Sequence, residues 1–133
     1  MNFTRKYSVV FEPFTERHFI KGFAKKYKGA WETTFLFLIQ EFTYIDALFL
    51  KNTAETIVDS KDVRICKTEF KIAGTEVSRH ASGNRCVVAI HKAINKVCVL
   101  LVYGKTDLNG NNETAEWKKL VKENYPGYKD LFN

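Results

Sequence analysis

Apolar side chains recur along this chain with two periods, and the switch between them predicts the order of its elements. Tyr7-Ser8-Val9-Val10-Phe11 is a short β-type run that Pro13 ends. From Thr15, a suitable N-cap, Phe19, Ile20, Phe23, Ala24 and Tyr27 fall at helical spacing, with Lys21, Lys25, Lys26 and Lys28 between them. Gly29 punctuates the pattern. It resumes from Trp31 to Leu50, where Trp31, Phe35, Leu38, Ile39, Phe42, Ile45 and Phe49 define a wide apolar face. Two such helices around one short break predict an antiparallel hairpin laid over a sheet.

The middle of the chain changes to a period of two. Cys66-Lys67-Thr68-Glu69-Phe70-Lys71-Ile72 alternates charged and less polar positions, as a half-exposed strand does. A loop, Gly74 to Asn84, separates it from Arg85–Ile90, and a tight turn at 93–95 leads to Val97–Tyr103. That last run is apolar at both parities, the mark of a strand covered on both faces. A polar turn, Asp107 to Asn112, precedes a final helix with Asn112 as cap and Glu113 in its first turn. Trp117, Leu120, Val121 and Tyr125 give that helix one packing face, and Pro126-Gly127 stop it. The expected fold is α+β: an N-terminal strand and helical hairpin packed on an antiparallel β-meander, with a C-terminal helix.

Composition narrows the setting. The 133 residues, 45% apolar and 27% charged, suit one globular domain spanning 1–133, without repeats or linkers. Cys66, Cys86 and Cys98 are odd in number, lack paired spacing and sit in apolar runs, as reduced core thiols do. No signal-like segment opens the chain, and the apolar stretch from Phe35 to Leu50 carries Glu41 and Asp46, so no membrane span is expected. A cytoplasmic setting follows from those two features. The formal net charge of +6 favours polyanionic partners, nucleic acid first among them.

The motifs that are missing also inform. There is no glycine-rich phosphate loop, HExxH motif, paired-cysteine zinc site or nucleophile elbow, and His18, His80 and His91 have no metal-ligand spacing. Neither metal nor cofactor is expected. The remaining chemistry is cationic: Lys67 and Lys71 on a strand, Arg79 and His80 in the following loop, Arg85 opening the next strand, and Lys105 beyond the last one. A meander folds these positions toward one edge. The polar loop Ser78–Arg85 combines small hydroxyl residues and Gly83 with groups that grip phosphate. Lys67 and Lys71 equally fit the solvated face of an amphipathic strand. Tyr103 and Tyr128, the latter beyond the last helix, are candidate base-stacking rings, whereas Trp117 and Tyr125 fit the core.

The run SGNRCVVAIHKAINKVCVLLVYGKTDLNGNNETAEWKKL resembles the C-terminal half of RelE-like toxins of bacterial toxin–antitoxin systems. Its Gly-x-Arg loop end, paired hydrophobic strands and basic stretch after the last strand carry the likeness, over roughly residues 64 to 125. The resemblance implies a metal-independent endoribonuclease that cuts mRNA, on the ribosome or free, through attack by the RNA's own 2′-OH. It also implies an acidic antitoxin as partner. By position, Arg79 or His80 takes the place of the family's phosphate-binding arginine, Lys67 and Lys71 its basic strand pair, and Lys105 its basic residue after the last strand. The expected catalytic set is therefore His80, Lys67, Lys71 and Arg79, with Arg85, Lys105 and Tyr128 binding nucleic acid. Where the family places a catalytic tyrosine this chain has Asn111, Asn112 and Glu113, so His80 or Tyr128 must take that duty. Two other readings stay open: a ParE-like inhibitor of DNA gyrase without catalysis, and a plain RNA- or DNA-binding module.

Overall fold

In the computed structural model, which describes residues 5–108 and 112–132, one five-stranded sheet organises the chain. Strands β1 (Ser8–Phe11), β2 (Ala54–Asp59), β3 (Val63–Phe70), β4 (Asn84–His91) and β5 (Lys96–Gly104) lie in the order β1-β5-β4-β3-β2. From β2 to β5 every neighbouring pair is antiparallel, whereas β1 joins the edge of β5 in parallel. The sheet is thus mixed. Strand β2 is the element that the apolar period leaves unread: its sequence, Ala-Glu-Thr-Ile-Val-Asp, alternates poorly because a bulge between Thr56 and Val58 breaks its register.

The helices also depart from simple periodicity. The chain turns helical at Pro13, whose fixed φ suits the first helical turn, in α1 (Pro13–Thr15). Thr15 is not the cap. It lies inside the helix, fully buried, and its hydroxyl oxygen accepts the Val102 amide at 2.8 Å, satisfying β5 where β1 has ended. Glu16–Ile20 then widens into a π-helical turn before α2 (Lys21–Lys26). The expected helix Trp31–Leu50 is two helices, α3 (Ala30–Thr43) and α4 (Asp46–Leu50). Tyr44, with φ −116° and ψ 46°, breaks them, and the break lets Ile45 bury completely. The final helix, α5 (Glu113–Asn124), starts as expected, with Asn112 Oδ1 accepting the Ala115 amide at 3.1 Å. A 3-10 segment, Pro126–Phe132, follows it. The rest of the expected turn, 109–111 with Asn111, lies outside the described residues.

Both sheet faces are covered, so β4 and β5 are buried at nearly every position. On one face the helical hairpin packs Phe23, Trp31, Leu38 and Phe42 against Cys66, Phe70, Val88 and Val99. On the other, α5 brings Trp117 and Val121 against Ile65, Val87, Leu100 and Leu101. Burying one such apolar side chain stabilises by about 1.5–3 kcal/mol, so these two layers hold the sheet. All three cysteines are buried free thiols, and burial pushes Cys66 up to about 11, away from thiolate chemistry at neutral pH.

Candidate functional site

Strand register builds the site. Glu69, Arg85 and Tyr103 stand side by side across β3, β4 and β5, all on the face that α5 covers. Tyr103 reaches that face because of a bulge. Val87 pairs with Leu101 while Val88 pairs with Val99, so Leu100 has no partner of its own in the register. Leu100 and Leu101 therefore both point toward α5, and the alternation beyond them is inverted. Without that extra residue Tyr103 would point into the helical-hairpin core.

The first turn of α5 closes over this row. Tyr103 donates its hydroxyl to Glu113 Oε2 at 2.7 Å, and Lys67 Nζ lies 3.5 Å from the same oxygen. Burial pushes the Glu113 carboxyl up, but the Tyr103 hydroxyl, Lys67 and Arg85 together outweigh it and hold it below the ordinary glutamate value. Burial, and then the bond to Glu113, drive Tyr103 in the opposite direction, so it stays a donor. At the loop end of the row, Glu69 faces His80 Nδ1 at 3.0 Å and Arg85 Nη1 at 3.7 Å. His80 remains open to solvent, with 86% of its side chain exposed. The result is a balanced constellation of two carboxylates, a lysine, an arginine, an imidazole and a phenol. Such a set offers a proton acceptor, a solvent-facing proton donor and fixed positive charge within one patch.

The expected site residues divide among four places. Lys67 and His80 join this patch. Arg85 belongs to it but is only 4% exposed, and its guanidinium also holds the loop by donating to the carbonyls of Asn84 (3.0 Å) and His80 (3.2 Å). Arg79 turns the other way, onto α3, where Nη1 and Nη2 donate to the two Glu41 oxygens at 2.9 and 2.7 Å. Lys71 lines the same groove beside α3. Lys105 lies across Gly83, in a cleft under α2. Tyr128 sits at the other end of β4: its hydroxyl meets His91 Nε2 at 2.8 Å, about 20 Å along the strand from Arg85 at ~3.3 Å per residue.

Glu69, Tyr103 and Glu113 are the members that a search for cations passes over. In the sequence Glu113 reads as a first-turn acid at the place of the family's catalytic tyrosine, and Tyr103 as a possible base-stacking ring at the end of an apolar run. The sequence signal for the Tyr103–Glu113 pair is the phenol itself, since a tyrosine hydroxyl in a dry strand needs a partner. Among the described residues, no three His, Cys, Asp or Glu side chains are grouped as metal ligands, and no helix is long and apolar enough to cross a membrane.

The sequence matches no family model and no curated protein. The fold has a structural counterpart: a chain from the crystal structure of the archaeal RelE–RelB complex of Pyrococcus horikoshii OT3 superposes with a TM-score of 0.53 at 10% identity. The match covers 75% of this chain and 96% of that one. The α+β arrangement described above is thus a RelE-like fold.

Proposed function

We propose that the chain works as a single domain, the toxin of a toxin–antitoxin pair, and that its toxicity is metal-independent cleavage of mRNA. The observation that carries this reading is the fold shared with the RelE–RelB structure, joined to the acid–base patch that α5 closes over on this sheet. In the proposed reaction the 2′-OH of a bound ribonucleotide attacks the adjacent phosphate and loses its proton to the Glu113 carboxylate. Lys67 and the neighbouring Arg85 stabilise the charge that grows on the phosphorane. Protonated His80 gives its proton to the departing 5′ oxygen, leaving a 2′,3′-cyclic phosphate and a 5′-hydroxyl. A positioned acid or base contributes about 10²–10⁴-fold each, and fixed charge a comparable factor.

Arg79 and Tyr128 enter this scheme as structural residues. Lys71 and Lys105 remain surface cations that can guide the RNA strand, and a net charge of +6 speeds that encounter. The partner in this reading is an acidic antitoxin, and the protein acts in the cytoplasm. Induced expression tests the proposal. Wild type should arrest growth, Lys67→Ala and His80→Ala should abolish the arrest while keeping the native circular-dichroism spectrum, and co-expression of the acidic protein encoded next to it should restore growth. Arrest that survives both substitutions overturns the nuclease reading, and loss of plasmid supercoiling in its place assigns the gyrase one.

A further inference from the structure

A second concavity, of about 470 Å³, opens where the first helical segment crosses the sheet beside the end of β5, and the proposed reaction does not use it. The π-helical turn and α2 form one wall; the middle of the 80–85 loop and residues 104–107 form the other. Its size falls within the range of about 300–1,000 Å³ typical of small-ligand sites.

The backbone keeps this space open. The wall begins in a π-helical turn, a rare form frequent at functional sites. Gly22 follows inside the helix, where glycine costs about 0.5–1 kcal/mol relative to alanine. No packing demand explains it, because a Cβ at Gly22 would meet nothing within 4 Å. Gly83 is held at φ +77°, a conformation that favours glycine, and the stem of Lys105 lies across it in ordinary van der Waals reach, 3.6–3.7 Å from where a Cβ would stand. With Gly104, three of the chain's seven glycines line this one cleft.

Its chemistry is that of an anion site with an aromatic side. Besides the Tyr27 phenol, the ionisable lining is His18, Lys26, Lys105 and Asp107. Asp107 is already engaged, accepting the Gly104 amide at 2.7 Å. Neither Lys26 nor Lys105 makes an ion pair among the described residues. Tyr27 and Phe19 supply rings, with Lys26 Nζ 5.2 Å from the Tyr27 centroid. A phosphate between two ammonium groups and a base against a ring would fill both halves.

We propose that this cleft binds a phosphorylated nucleotide, either free or as one unit of a single-stranded RNA. The site uses none of Lys67, His80 or Glu113 and shares only the guiding cation Lys105 with the cleavage reading, so binding here and cleavage there fail separately. Two-dimensional ¹H–¹⁵N spectra of the full chain, titrated with AMP, UMP, a single-stranded hexaribonucleotide and inorganic phosphate, test it. Nucleotide should shift the Gly22, Gly83 and Gly104 amides together and saturably. Gly22→Leu, a better helix former whose side chain enters the cleft, should keep or raise Tm and weaken binding at least tenfold. Lys26→Glu should weaken it as much, while Glu113→Gln should leave it unchanged even where cleavage is lost. Equal affinity for mononucleotide and hexamer assigns the free ligand; a hexamer binding at least tenfold tighter assigns the RNA strand. Absence of shifts with every nucleotide, shifts that persist in Gly22→Leu and Lys26→Glu, or phosphate binding as tightly as nucleotide overturns the proposal.

Discussion

Tyr103 and Glu113, ten residues apart in sequence, are joined by a 2.7 Å hydrogen bond that ties the last strand to the first turn of the last helix. That bond makes α5 part of the site and part of the support for it. Hydrogen bonds to a charged group contribute about 1.5–3 kcal/mol. With a quarter of the Glu113 side chain exposed, Tyr103→Phe should cost about 1.5 kcal/mol, the lower end of that range, in urea unfolding. An unchanged midpoint would show that water replaces the bond without loss.

The same carboxylate gives stability a defined pH dependence. Its folded value lies below the ordinary one of about 4.3, so the unfolded chain binds the proton first as pH falls. The contribution is complete above that ordinary value and disappears as pH drops through the folded value. Between pH 6 and pH 3 the wild type should therefore lose more stability than Glu113→Gln, whose curve should be flatter. Parallel curves would contradict the assignment.

A second titration lies at the far end of β4. Burial, with help from Lys96, holds His91 below its ordinary value, so folding favours the neutral ring bonded to Tyr128. Stability from this pair is present above about pH 6.5 and is lost as pH falls through the lower folded value. Thermal melts at pH 7 and pH 5 should differ more for wild type than for His91→Asn. Tyr128→Phe should cost about 1 kcal/mol at pH 7 and leave any toxicity unaltered.

The fold was largely legible because its signals are local. The apolar faces of the two helical segments, the two-parity run Val97–Tyr103 and the Asn112 cap each follow from spacing within a dozen residues. What escaped depends on distant partners. Strand β2 has meaning only against β3, β1 pairs in parallel with the first residues of a strand far along the chain, Lys96–Val99 of β5, and the inward turn of Tyr103 comes from a bulge at Leu100 that no alternation announces. The site was half legible for the same reason. Net charge drew attention to cations, but the register seats Lys67 and Arg85 among two glutamates, and Arg79 finds Glu41 thirty-eight residues away on α3.

The Arg79–Glu41 pair anchors the loop that carries His80. Each partner is about a quarter to a third exposed, so the pair itself should contribute only ~1 kcal/mol. Its bidentate geometry should matter more than its charge. Arg79→Lys should behave like Arg79→Ala, both exposing the 71–83 loop to limited proteolysis while Tm changes little. Protection restored by lysine would show that charge alone suffices.

The most direct test of the cleavage chemistry is to map 2′,3′-cyclic phosphate and 5′-hydroxyl ends across cellular transcripts after induction. Wild type should accumulate such ends within mRNA, and Glu113→Gln, which keeps a hydrogen-bond acceptor but no proton-accepting carboxylate, should reduce them by about 10²-fold or more. Growth arrest without cyclic ends, or a Glu113→Gln variant that cuts as fast as wild type, would contradict the account.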